Sequence, residues 1–126
     1  DEILNKPGRL TREEFKIMQS HPLKGARYLM EIKGVSRLAT ICAMDHHILY
    51  DGRGYPKMHG WRPNIVSQMI SLSDAFDAMR SRRPYQEPKP HADVINILRQ
   101  DSGSCFNPIL VDNFLNLLGM SLFETL

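Results

Sequence analysis

Cysteine is scarce in this sequence, and the two cysteines it has are far apart. Cys42 and Cys105 form no C-x-x-C pair, which excludes a cysteine-rich zinc site. We interpret both as free, buried thiols in a reducing compartment and therefore expect a cytoplasmic protein.

Long apolar runs and a strong net charge are also missing. The longest apolar stretch, near residues 38–44, is far too short to span a membrane, and no signal-peptide pattern is visible in this sequence. The formal net charge of +2 gives no strong bulk attraction to a nucleic-acid polymer or a membrane surface. The 126 residues are enough for one domain, spanning 1–126, with a single core.

Alternating strand patterns, repeats and low-complexity tracts are absent, whereas helix signals fill the chain. Thr11 and Glu14 have the spacing of a capping box, Pro22 suits a first helical turn, and Asn107-Pro108 reads as a cap followed by a first helical position. The predicted fold is all-α, with a Gly- and Pro-rich loop over 48–63. We expect helices over about 11–19, 22–33, 36–47, 64–81, 91–100 and 108–119. The fourth should present one apolar face, made of Ile65, Met69, Leu72, Phe76 and Met79.

Imidazole and carboxylate groups recur in the first two thirds of the chain. The tandem pair His46-His47 directly precedes the glycine-rich loop, with His21 upstream and Asp74 downstream. Such groups are ligands for Fe, Mn or Zn. Successive side chains on a helix point about 100° apart, so the tandem pair can serve two neighbouring metals. These four groups suggest half of a metal site.

Several segments, taken in order, resemble the HD-GYP family, a branch of the HD-domain metal-dependent phosphohydrolases. The resemblance covers nearly the whole chain and is carried by Ile3 to Thr11, His21-Pro22, His46-His47, Asp51-Gly52-Arg53-Gly54-Tyr55-Pro56, Asp74 to Met79, Arg83-Pro84-Tyr85 and Gly103 to Pro108.

The resemblance implies a helical bundle like that of HD domains, here the C-terminal portion of an HD-GYP domain. It implies a centre of two or three divalent metals, Fe or Mn with Zn as an alternative, that hydrolyses cyclic di-GMP to pGpG or GMP in bacterial signalling. The implied metal ligands are His21, His46, His47 and Asp74. The implied substrate-binding residues are Gly54, Tyr55 and Pro56 at the mouth of the pocket, and Arg83 on a phosphate.

The chain departs from the family pattern at three places. It contains no His-Asp dipeptide, which family members carry upstream of the segment matching Asp1 to Leu4. Ile48-Leu49 replaces the usual Glu-Arg, and Gln86 replaces a basic residue. We therefore expect an incomplete metal site and impaired activity in this chain alone.

Other interpretations stay open at this stage. One alternative is a non-catalytic module that binds cyclic di-GMP, or a diguanylate cyclase domain through the Gly-Tyr-Pro loop. A second is a phosphohydrolase acting on another nucleotide, and a homodimer is compatible with either. Asp77 either orients a metal ligand or bonds to nearby groups, and Tyr55 either stacks on a guanine or packs structurally. Asp51 and Gly52 are expected to form a turn.

Overall fold

The computed structural model describes residues 2–3, 6–82 and 86–124, with side chains as far as residue 119. Within these ranges the regular structure is helical, apart from two isolated bridges that join Ile48 to Gly54 and Ser102 to Phe106. The predicted all-α class is confirmed. The helices are α1 (Arg12–Met18), α2 (His21–Met30), α3 (Arg37–Asp45), α4 (Ile65–Arg80), α5 (His91–Gln100) and α6 (Pro108–Glu124).

Capping side chains set the starts of most helices. The predicted capping box is confirmed, because the Glu14 amide donates to Thr11 Oγ1 at 3.2 Å and the Thr11 amide donates to Glu14 Oε2 at 2.7 Å. The side chain of Ser36 accepts from α3, that of Asn64 accepts from α4, and that of Asn107 accepts from α6. These polar groups satisfy amides that the first helical turn leaves unpaired.

Three helix ends differ from the prediction. Helix α2 ends at Met30 rather than near residue 33, since the Glu31 amide turns back to Tyr28 and Leu29. Helix α3 ends at Asp45, where the Ile48 amide closes a turn on the Asp45 carbonyl. Helix α6 continues past Gly119, which does not have the positive φ of a glycine that stops a helix.

The hydrophobic core lies between α4, α5 and α6. Phe76 of α4 and Phe114 of α6 pack edge to face at its margin, with ring centroids 5.1 Å apart. The core consists of five side chains that are between 0% and 8% exposed: Leu72, Val94, Leu98, Phe106 and Val111.

The predicted apolar face of α4 is only partly correct. Leu72 is in the core and Met79 packs against it, but Ile65 and Met69 are each 47% exposed. The first turns of α4 bury Ser67 instead. The start of the helix is also hydrogen-bonded to α3 rather than packed on the core, which leaves its first apolar residues outside.

The glycine-rich loop is anchored to the core region. The amides of Tyr50 and Asp51 donate to the carbonyls of Cys105 and Ser104 at 3.1 and 3.0 Å. Cys105 is half-buried, contrary to the expectation of two buried thiols, whereas Cys42 is buried, and both are free. The described helices include none with the length and apolar character needed to cross a membrane.

Candidate metal centre

Three histidines, one at the start of α2 and two directly after α3, converge on one point. His21 begins α2, whereas His46 and His47 follow the last residue of α3, and α2 packs against α3. One ring nitrogen from each lies within 4.8 Å of the other two. The ring centroids are 5.5 Å apart for His21 and His46, 4.9 Å for His21 and His47, and 4.1 Å for His46 and His47.

Backbone carbonyls fix which nitrogen two of these rings present. His21 Nδ1 lies 2.7 Å from the Met18 carbonyl oxygen, and His46 Nδ1 lies 2.9 Å from that of Cys42 and 3.0 Å from that of Ala43. Since a carbonyl can only accept, Nδ1 carries the hydrogen in the neutral ring, and Nε2 keeps its lone pair. A hydrogen bond from the ring nitrogen that does not bind the metal to a carbonyl is typical of a metal-ligating histidine.

The two Nε2 atoms face each other at 3.4 Å. With a hydrogen on each Nδ1, neither Nε2 of a neutral pair has a proton to donate, so this contact brings two lone pairs together. Their separation is less than twice a metal–nitrogen bond of about 2.1 Å, so one ion can reach both atoms. The donor set and its spacing therefore fit a divalent metal.

His47 is kept in the form that binds metals. It is half-buried, and burial is the main cause that lowers its pKa to about 4, with contributions from His46 and His21 and an opposing one from Asp74. A metal binds the neutral imidazole, so a lowered pKa reduces competition from protons.

Asp74 lies beside the cluster rather than within it. The set of mutually close ligand atoms found among the described residues contains the three histidines and not Asp74. The Asp74 carboxylate is exposed, yet its charge acts on the pKa of both His47 and Tyr55. Asp74 is therefore near enough for its charge to act on the cluster, and its role as a ligand stays a prediction.

Tyr55 covers one side of His47. The two rings are stacked with centroids 4.8 Å apart and planes inclined by 29°, and Phe15 meets Tyr55 edge-on at 6.2 Å. Burial, with a smaller contribution from the charge of Asp74, raises the pKa of Tyr55. Tyr55 thus lies against the histidine cluster, with the half-buried Pro56 next to it in the chain, and their place at the mouth of a substrate pocket stays a prediction.

Gly54 lets the loop approach the tandem histidines. Its φ is +91°, and a Cβ there would collide with the carbonyl oxygen of His47, to which the Tyr55 amide donates at 3.1 Å. Only glycine fits such a position without a shift of the backbone.

The predicted turn at Asp51 is confirmed, because its carboxylate accepts from the backbone amide of Arg53 at 3.1 Å.

The remaining predicted residues lie away from the cluster or outside the described ranges. Arg83, the predicted phosphate contact, and its companion Tyr85 fall outside the described residues. Arg80 donates to the Lys89 carbonyl at 3.0 Å. Asp77 is exposed and accepts from Ser81 at 3.1 Å, which favours the second of its two interpretations, a local contact.

Asp45, directly before the tandem histidines, makes contacts that the sequence analysis did not predict. It is fully buried, and its Oδ2 accepts from Trp61 Nε1 at 3.2 Å and from the Asn64 amide at 3.1 Å. The available signal was its position: a carboxylate stands where the spacing of Ile41 and Cys42 predicts a core-facing residue.

Comparison with known proteins decides the family. Residues 1–110 match the family described as HD domain. The chain belongs to the HD-domain family. The recognition made from the ordered motifs is thereby confirmed, and HD domains are metal-dependent phosphohydrolases, in accord with the cluster of histidines.

The relatives of this HD domain are named as phosphodiesterases. A cyclic di-GMP phosphodiesterase of Thermotoga maritima is 41% identical over 119 residues, covering 93% of this chain and 32% of the relative. A probable cyclic di-GMP phosphodiesterase of Vibrio cholerae is 37% identical, covering 91% and 28%. A 3′3′-cGAMP-specific phosphodiesterase of Vibrio cholerae is 34% identical, covering 89% and 22%. The chain spans about a third or less of the length of these curated relatives.

Proposed function

We propose that this HD domain contributes the metal centre of a phosphodiesterase that hydrolyses cyclic di-GMP to pGpG or GMP. The observation that supports the proposal best is the pair of Nε2 atoms that face each other at 3.4 Å while both Nδ1 atoms are held by carbonyls. The names of the relatives support the substrate. In this proposal His21, His46, His47 and Asp74 hold divalent ions, with Fe or Mn preferred over Zn.

A bound divalent ion would supply a Lewis acid for the phosphodiester and a hydroxide nucleophile at neutral pH. The residues of this chain do the rest. The carbonyls of Met18 and Cys42 keep the two rings oriented. Tyr55 excludes water from one face of His47 and can stack on a guanine. We assign a substrate phosphate to Arg83, because a guanidinium matches phosphate geometry with two parallel hydrogen bonds.

A second candidate substrate is 3′3′-cGAMP. This cyclic dinucleotide stands in the name of one relative, at lower identity than the two named for cyclic di-GMP. The two substrates differ in one base, so the residues that meet the bases decide between them. A diguanylate cyclase domain or a second copy as partner, and a cytoplasmic location, stay predictions from the sequence.

The test uses the full protein, its His47→Ala variant and a His59→Ala control. His59 is an exposed histidine of the same loop region and is not in the cluster. Metal content is measured by elemental analysis, and both cyclic dinucleotides are assayed by chromatography of the products. We expect bound Fe or Mn and turnover of cyclic di-GMP in the parent and in His59→Ala, and loss of both in His47→Ala.

Two results would contradict the proposal. If His47→Ala kept its metal and its turnover, the histidine cluster would not be the catalytic centre. If the parent bound cyclic di-GMP without cleaving either dinucleotide, the chain would be a binding module instead.

A further inference from the structure

Asp45 is a buried carboxylate at the end of α3, directly before His46. It is 0% exposed, and two donors converge on one of its oxygens, Oδ2: the indole Nε1 of Trp61 at 3.2 Å and the backbone amide of Asn64 at 3.1 Å. Among the described residues, its other oxygen, Oδ1, has no hydrogen-bond partner. The carboxylate is thus held by two groups that come from outside its own helix.

A carboxylate is a costly choice for this position. Burying one is unfavourable unless hydrogen bonds compensate the lost hydration. Cys42, one helical turn earlier on the same face of α3, is also buried, and there a small apolar side chain fills the buried space. The acid at position 45 therefore needs a reason beyond filling space.

The two hydrogen-bond partners of Asp45, Trp61 and Asn64, lie at the two ends of the segment that links the Gly-Tyr-Pro loop to α4. Asn64 caps α4, since its side chain accepts from the Val66 amide at 2.9 Å. Asp74, a predicted metal ligand, lies further along the same helix. Trp61 belongs to the segment that follows the Gly-Tyr-Pro loop.

The opposite end of this linkage is the histidine cluster. Asp45 is the last residue of α3, and the His46 ring bonds to the carbonyls of Cys42 and Ala43 in the same final turn. One carboxylate oxygen therefore joins the turn that orients His46 to the cap of the helix that carries Asp74.

We propose that Asp45 is a positioning residue that sets the alignment of α4, and with it Asp74, against the tandem histidines. The proposal rests on the function proposed above. A helix transmits a displacement of its cap along its length as a rigid element. A misplacement of about 1 Å in a catalytic site can cost about a hundredfold in rate, so the hydrogen bonds of Asp45 matter to turnover although it touches no substrate.

Three variants of the full protein test this role, with one control. Asp45→Asn keeps the shape and one carbonyl oxygen that can accept from both donors. Asp45→Leu has similar volume and no acceptor. Trp61→Phe removes one donor and leaves the Asn64 amide in place. The control, Val94→Ala, weakens the core at a fully buried residue outside the site.

The readouts separate alignment from stability. We expect Asp45→Leu to lower kcat/KM about a hundredfold and to change the visible absorption spectrum of bound Co²⁺, which reports the geometry of the ligands. Asp45→Asn should stay within about tenfold of the parent, and Trp61→Phe should fall between them. Val94→Ala should lower the melting temperature while the Co²⁺ spectrum and kcat/KM stay unchanged.

The proposal is overturned if Asp45→Leu and Val94→Ala have equal melting temperatures, Asp45→Leu loses no more activity than Val94→Ala, and the Co²⁺ spectrum of Asp45→Leu is unchanged. A parent that binds no metal would refute the proposed function instead. In that case nuclear magnetic resonance of the metal-free protein still tests whether Asp45 aligns α4. Chemical shift changes in Asp45→Leu that extend along α4 to Asp74 support the role of Asp45, and changes confined to residues 61–64 refute it.

Discussion

The two ends of this domain are stabilised by different means. Helices α4 to α6 enclose a core of large apolar side chains that are 0–8% exposed. Helices α1 and α2, by contrast, bury none of their large apolar side chains, and five of these side chains are exposed. Their exposed fractions run from 47% to 76%, for Phe15, Ile17, Leu23, Tyr28 and Met30.

The residues that α2 and α3 do bury are small or polar: Pro22, Ala26, Cys42 and Asp45. Hydrogen bonds from ring nitrogens to carbonyls, and to one buried carboxylate, define this region more than apolar packing does. The region that carries the histidines should therefore gain stability from bound metal, whereas the core region is stabilised by its own packing. Single substitutions can test this division.

The largest effect is expected at Asp74, compared with Asp77 on the same helix. The Asp74 charge acts on His47, whereas the described contact of Asp77 is to Ser81. In the full protein, Asp74→Ala should lower kcat/KM by at least about a thousandfold, or about 4 kcal/mol, because a predicted metal ligand is lost. Asp77→Ala should stay within about threefold of the parent, since an exposed contact contributes little. Product chromatography and a metal count for each variant decide the outcome.

Equal losses in both variants would mean that the end of α4 tolerates no change, and Asp74 would lose its special role. Full metal content and turnover in Asp74→Ala would show that the assigned ligand set is wrong.

The core region should lose stability without losing metal. Leu98 is fully buried in the core, so Leu98→Ala should lower the free energy of unfolding by about 2–5 kcal/mol. Leu23→Ala, at a residue that is 52% exposed on α2, should change it by less than about 0.5 kcal/mol. Denaturant titration measures both. The division between the two regions fails if Leu98→Ala releases the metal under conditions where the protein stays folded.

The loop that joins the two regions can be tested with two glycines. Both Gly52 and Gly54 have positive φ, which costs a residue with a Cβ about 1–2 kcal/mol. A Cβ at Gly52 meets no atom within 4 Å, but one at Gly54 would collide with the His47 carbonyl. Gly54→Ala should therefore destabilise the protein by about 1–3 kcal/mol more than Gly52→Ala, and it alone should weaken metal binding.

Chemical denaturation and metal titration of both variants measure this difference. If the two variants were equally destabilised and both kept full metal affinity, the close approach of the loop to His47 would not matter to the site.

What could be predicted from the sequence was local. The capping box, the cap at Asn107 and the turn at Asp51 each depend on residues two or three apart, and each is confirmed. Helix ends were less accurate, because apolar spacing alone cannot show where the last turn tightens. The prediction that Ile65 lies on a continuous apolar face was wrong, because the packing direction of α4 depends on α3 as well as on the core.

The site shows the same limit. The order of motifs predicted the histidines, and the structure brings His21, His46 and His47 together. The partners of Asp45 lie 16 and 19 residues away in sequence, at Trp61 and Asn64, and no local pattern marks a contact at such a distance. The choice of ring nitrogen likewise depends on carbonyls whose positions only the folded helices define.

A smaller effect is expected from the pKa of His47, which is lowered from 6.5 to about 4. Between these values the unfolded chain binds a proton that the folded protein does not, so stability rises with pH in this window. The metal-free protein should therefore become less stable as the pH falls from about 6.5 toward 4. The slope should be less than about 1.4 kcal/mol per pH unit, the limit for one proton, because partial exposure weakens the effect.

Denaturant unfolding in the presence of a chelator, at pH 7 and pH 5, measures this slope. His47→Gln, which cannot titrate, should flatten it, and the exposed His59→Gln should not. An unchanged slope in His47→Gln would assign the pH dependence to other groups.

The smallest effect is expected at the capping box of α1, the helix with no buried residue. The side chain of Lys6 and the Thr11 amide are the main causes that lower the pKa of Glu14 below 4.5. The ionised form thus stabilises the folded state above pH 4.5, and this contribution is lost as the pH falls through the lowered folded value. The protection factors of the α1 amides, measured by hydrogen exchange at pH 7 and pH 3.5, should be lower in acid because the helix frays.

Glu14→Gln keeps the cap, because glutamine can bond to the Thr11 amide, but should remove most of this pH dependence. Glu13→Gln, an exposed neighbour in the same turn, should retain it. If both variants lost it equally, general charge in the first turn, and not the contact between Glu14 and Lys6, would account for the stability of α1.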